Sequence, residues 1–147
     1  MRQWMYQVCH EFGWFQTPNP EHPMRSPLIR LPFWLYQCSA MFDGATRPDV
    51  PATNEYYGGL DIQGDHIVFA NAAEDPWKYA GMREIHDPET QSGMKAVYID
   101  CDNCAHCVDL GSPKDSDSEA LTKAREEIYD QILLWLDEDV SQQILTQ

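Results

Sequence analysis

The sequence predicts an α/β protein, and three observations carry that prediction. Two short apolar runs, residues 66–70 and 95–100, hold β-branched members and are bounded by Gly64-Asp65, Asn71 and Gly93, so both read as buried strands. Each is followed by a cluster of polar residues. Beyond the second, Leu121, Ala124, Ile128, Ile132, Trp135 and Leu136 recur at helical spacing, which gives an amphipathic helix of about five or six turns. A single apolar stripe must be buried against something, and a sheet is the natural support; strand, loop, strand, helix is the order of an α/β layer.

Taken in order, the elements begin with a segment dense in aromatics, Trp4, Tyr6, Phe12, Trp14 and Phe15. Residues 17–32 carry prolines at 18, 20, 23, 27 and 32 and read as loop. Residues 33–42 are apolar and suit one short helix, and residues 43–57 read as loop again, closed by Gly58-Gly59. The two strands follow. Ser116-x-x-Glu119 then has the pattern of a capping box, with Asp117 and Glu119 near the positive end of the last helix's dipole.

The chain has 147 residues, the size of one ordinary domain, and its 43% hydrophobic content is that of a globular protein. No run of 18 apolar residues is present, so no membrane span is expected. A formal net charge of −14 argues against nucleic acid and against anionic membrane surfaces as partners, since both are bound through Lys and Arg. The same charge suits an acidic compartment or simply a solvated surface. Residues 1–9 have no apolar core or cleavage site of a signal peptide, and no Asn-x-Ser/Thr sequon occurs; on these grounds alone the chain would read as cytosolic.

The chemistry lies after the strands. Asn71-Ala72-Ala73-Glu74-Asp75-Pro76-Trp77 follows the first, and residues 101–110, with His106, follow the second. Ligands of open α/β sheets bind beyond the carboxyl ends of the strands. An acid after one strand and a His after the next is the order of α/β-hydrolases, in which the acid orients the imidazole and the imidazole takes a proton from a Ser. Plainer readings stand beside this one. An Asp before a Pro caps turns, and a His in a polar loop is ordinarily surface. Cys101, Cys104 and Cys107 with His106 could supply a zinc site, although adjacent His106 and Cys107 cannot easily turn onto one metal; they could equally be disulfide partners or small buried side chains.

Four blocks resemble a known family. Residues 2–17 are similar to the W-x-Y-Q-x-C-x-E-x-G-x-x-Q block of the prolyl carboxypeptidase, dipeptidyl peptidase II and thymus-specific serine protease family. Tyr57-Gly58-Gly59 resembles its Tyr-Gly-Gly, residues 71–77 its N-G-x-x-D-P-W, and residues 105–110 its A-H-H-x-D-L. The blocks keep family order over nearly the whole chain. The resemblance implies that residues 1–147 form the C-terminal part of an α/β-hydrolase peptidase domain, a partial α/β-hydrolase fold. It implies Asp75 as triad acid, His106 as triad base, and a disulfide between Cys9 and Cys38. Ala72 stands where the family has Gly, and Cys107 where it has a second His.

The nucleophile is missing from the pattern. None of Ser26, Ser39, Ser92, Ser112, Ser116, Ser118 and Ser141 has Gly two residues before it. The resemblance therefore implies a piece of a secreted or lysosomal serine exopeptidase acting on proline-containing peptides, without cofactor or metal, inactive alone and homodimeric in its parent. A noncatalytic remnant or binding module of the same fold is the alternative, and a small zinc-binding module the third.

Overall fold

The computed structural model describes residues 1–145 other than Pro23 and Thr46, with side chains of the last helix up to Asp137. The chain divides into two compact units, Met1–Gly59 and Leu60–Gln147.

The first unit is helical. Helix α1, Arg2–Gln7, runs on into a wider turn at Val8–Phe12, and α2 spans Leu31–Met41. Pro32 sits in the first turn of α2, where its missing N–H costs nothing. Cys9 and Cys38 are joined by a disulfide, with 5.4 Å between their α-carbons, and both are almost fully buried beside Phe42 and Ala45. The stretch 43–57, expected to be loop, holds helix α3 at Val50–Tyr57. The signals were present: Asp49 Oδ1 accepts from Ala52 N at 3.1 Å, Pro51 fills the first turn, and Gly58 closes the helix at φ 92°. Only glycine enters that left-handed conformation without strain. Of the expected 17–32 loop, Leu31 and Pro32 belong to α2, and Pro23 lies outside the described residues.

The second unit is α/β. Strand β1, Ile67–Ala72, pairs in parallel with β2, Met94–Ile99, in a register that sets Ile67 against Met94 and Ala72 against Ile99. Both strands therefore end side by side. Parallel strands need a long crossover, and the one here, residues 73–93, is built of turns. Gln91, 1% exposed, holds it together: Oε1 accepts from His86 N and Asp87 N, and Nε2 donates to the carbonyls of Leu60 and Ile62. All of its hydrogen-bonding capacity is thus met inside the protein, which makes its burial tolerable.

Helix α4, Glu119–Leu145, covers one face of the pair. Leu121 and Ala124 pack with Ala72, Val97, Ile99 and Cys104, and Val68, Val108 and Ile128 close the margin. The helix is longer than the six turns expected and starts differently. Ser118 is the capping residue, its Oγ accepting from Leu121 N at 3.2 Å. Ser116 is not, because the intervening Asp117 is drawn to Lys114 N and to Arg125. Beyond Ile128 the cover is partial: Trp135 is half-buried with its ring 5.2 Å from that of His66, while Ile132, Leu133, Leu134 and Leu136 are exposed.

Candidate active site

The carboxyl ends of β1 and β2 carry the site. Ala73 N donates to Ile99 O at 2.9 Å, which continues the ladder one residue past β1. The chain then turns, with Asp75 N on Ala72 O and Lys78 N on Asp75 O. The side chain of Asp75 reinforces the turn, Oδ1 accepting from Trp77 N at 2.8 Å. The plain reading of an Asp before Pro is therefore true of one oxygen.

The other oxygen does something else. Asp75 Oδ2 lies 2.8 Å from His106 Nδ1, across 31 residues of sequence. An ionised carboxylate only accepts, so this contact with a neutral imidazole would select the tautomer with the proton on Nδ1 and a lone pair on Nε2. Asp75 is 8% exposed, whereas the His106 side chain is 56% exposed. The acid is thus sheltered while the imidazole reaches outward. The indole of Trp77 meets the His106 ring edge-on, with centroids 5.2 Å apart.

Several contacts hold the two loops in place. Glu74 N donates to Cys104 O at 2.9 Å, joining the acid's loop directly to the histidine's. Lys78 Nζ donates to Ala73 O. Cys101 and Cys104 form a disulfide across the turn that leaves β2, and Cys107, exposed and free, takes the left-handed conformation at φ 58° beside His106. That disulfide removes two of the three thiolates on which a zinc site would have rested.

A cleft of about 360 Å³ opens beside the pair, lined by Asp75, Trp77, His106 and Leu110 together with Asn71 and Gly81. Asn71, buried, donates from Nδ2 to Met82 O at 2.7 Å and so pins the cleft's far wall. A β-carbon at Gly81 would come within 2.2 Å of Asn71 Oδ1, so the wall needs glycine there. Asp109 borders the cleft, and Asp102 is exposed in the turn after β2. Among the described residues, no serine lines the cleft. Asn71 heads the block that ends in Asp75-Pro76-Trp77, whereas Gln91 carries no motif and only its burial marks it.

An acid and a histidine held together at neighbouring strand ends, both lining one cleft, form an arrangement suited to proton transfer. Comparison with known proteins gives the lineage. Residues 1–128 match the family of serine carboxypeptidase S28, and the chain belongs to that family. It is 33% identical to the probable serine protease EDA2 of Arabidopsis thaliana over 93% of this chain and 29% of that protein. It is 33% identical to the thymus-specific serine protease of Homo sapiens over 92% of this chain and 26% of that protein. A probable extracellular serine carboxypeptidase of Arthroderma benhamiae shares 38% identity over 55% of this chain and 12% of its own length. The chain thus spans less than a third of the curated relatives it matches. No solved structure matches. Among the described residues, no helix is long and apolar enough to cross a membrane.

Proposed function

We propose that residues 1–147 are the C-terminal part of an α/β-hydrolase peptidase domain and supply the acid and the base of a serine-type exopeptidase that cuts beside proline. The observation that carries the reading is the 2.8 Å contact between Asp75 Oδ2 and His106 Nδ1 at the ends of adjacent parallel strands. In this reading Asp75 holds His106 in the tautomer with a free Nε2 and stabilises the imidazolium when it forms. His106 Nε2 takes the proton of a serine as that serine attacks the scissile carbonyl. It then gives the proton to the leaving amine, and repeats the exchange with water to release the acyl group. The serine, its oxyanion donors and the remaining strands come from the portion that this chain does not span. The open sheet edges and the exposed apolar residues of α4 are in keeping with that. As in the relative named extracellular, the parent enzyme is secreted.

One observation favours a second reading, a noncatalytic module of the same fold: among the described residues, no serine lines the cleft beside His106. The reading frame upstream of residue 1 discriminates the two. If it encodes a Gly-x-Ser block, the extended protein is expressed and offered proline-containing peptide reporters. Hydrolysis that His106→Ala abolishes supports the exopeptidase. An extended protein with the block but no turnover, or turnover indifferent to His106, rejects it.

A further inference from the structure

His106 stands in the middle of a three-residue span between two fixed points. On one side, Cys104 is buried at 3% exposure, crosslinked to Cys101, and hydrogen-bonded through its carbonyl to Glu74 N. On the other side, the carbonyls of Val108 and Asp109 are both held by one guanidinium. Arg125 Nη2 donates to Val108 O at 3.1 Å and Nε to Asp109 O at 3.0 Å. The remaining arm, Nη1, donates to Asp117 Oδ2 at 2.5 Å, and the same oxygen accepts from Lys114 N. Both side chains of that ion pair are largely buried, at 17% and 14% exposure.

We propose that Arg125 is a positioning residue for His106: it fixes the downstream end of the histidine's loop and so keeps Nδ1 aligned on Asp75. This rests on the reading of Asp75 and His106 as acid and base. The chemistry calls for arginine. Two backbone carbonyls and a carboxylate need three N–H directions in one rigid plane, which the guanidinium offers and an ammonium does not. Between Cys104 and Val108 the path is restrained locally by a turn, Val108 N donating to Ala105 O at 3.3 Å, and by the left-handed backbone of Cys107. With the downstream anchor gone, that turn would be tied to the rest of the unit on the Cys104 side alone, and the exposed imidazole would move with it. Its hydrogen bond to Asp75 would then be made for only part of the time.

The test follows the Nδ1-bound proton of His106 by NMR in the full chain, labelled at histidine and refolded under oxidising conditions. In the unsubstituted chain that proton exchanges slowly with water and is lost in Asp75→Ala. If no protected proton is found there, the acid–base reading fails and this proposal with it. In Arg125→Gln the exchange is expected to quicken on the order of tenfold, the loss of about one charge-assisted hydrogen bond, while the signals of His66 and His86 stay in place. Arg125→Lys should recover part of the protection. Glu127→Gln, which weakens the pair that Glu127 of the same helix makes with Lys95 of β2, should leave it unchanged. Unaltered exchange in Arg125→Gln overturns the proposal, as does equal acceleration in Glu127→Gln, which would mark a loss of helix packing only. If Arg125→Gln unfolds the unit, Asp117→Asn decides: faster exchange at His106 with His66 and His86 intact supports the role, and no change overturns it.

Discussion

Asp75 divides its two oxygens between a turn and a histidine, so its contributions to folding and to chemistry can be separated by substitution. Asn keeps the oxygen that accepts from Trp77 N, but its amide cannot hold His106 in the tautomer the chemistry needs. In the extended peptidase, Asp75→Asn should lower kcat by about 10⁴ with little change in melting temperature, and His106→Ala by a similar factor. Asp102→Asn and Asp109→Asn should each cost less than about tenfold, since neither carboxylate meets the imidazole; steady-state rates with one proline reporter compare all four. A second carboxylate acts on stability. The Arg125 hydrogen bond, followed by that of Lys114 N, holds Asp117 below the ordinary aspartate range. A depressed folded value means stability that is full above the unfolded pKa, about 3.9, and lost as pH falls through the folded one. Urea midpoints of the parent chain and of Asp117→Asn should therefore differ at pH 7 and converge at pH well below 4.

Secondary structure was legible where local chemistry agreed with tertiary need. The runs at 66–70 and 95–100 became β1 and β2 with shifts of one or two residues, and the stripe from Leu121 to Ile128 found the sheet. Helix α3 was overlooked because its eight residues carry no apolar periodicity; its identity lies in Asp49, Pro51 and Gly58. Asp49→Ala should accordingly cost about 1 kcal/mol in chemical denaturation of the first unit. The start of α4 differs from the expected one because Ser116 and Ser118 both offer a hydroxyl, and the bonds that Lys114 N and the distant Arg125 make to Asp117 accompany the choice of Ser118. The meeting of Asp75 with His106 was readable from their motifs, and Asn71 heads one of these, whereas the parts of Arg125 and Gln91 were not: they bond mainly to backbone, which any sequence provides. The crosslinks also differ in weight. On the chain-entropy account, the 29-residue separation of Cys9 and Cys38 corresponds to about 3.5 kcal/mol, and the tight Cys101–Cys104 loop to about 2 kcal/mol. Replacing each pair by alanines and comparing denaturation midpoints checks that order.

At the scale of the whole molecule, the chain alone should not hydrolyse proline-containing peptides at acidic or neutral pH, since a base without a nucleophile has nothing to activate. Turnover that disappears in His106→Ala would contradict this and would point to a nucleophile within the chain. The formal charge of −14 works against self-association of the apolar residues that α4 leaves exposed. Each compact unit also holds its own crosslink, Cys9–Cys38 in the first and Cys101–Cys104 in the second, and the fifth cysteine, Cys107, is free. Tyr56 and Tyr57 are exposed at the boundary between the units. A single chymotryptic nick there would consequently leave no covalent tie, and the two peptides would migrate separately on a denaturing gel run without any reducing agent.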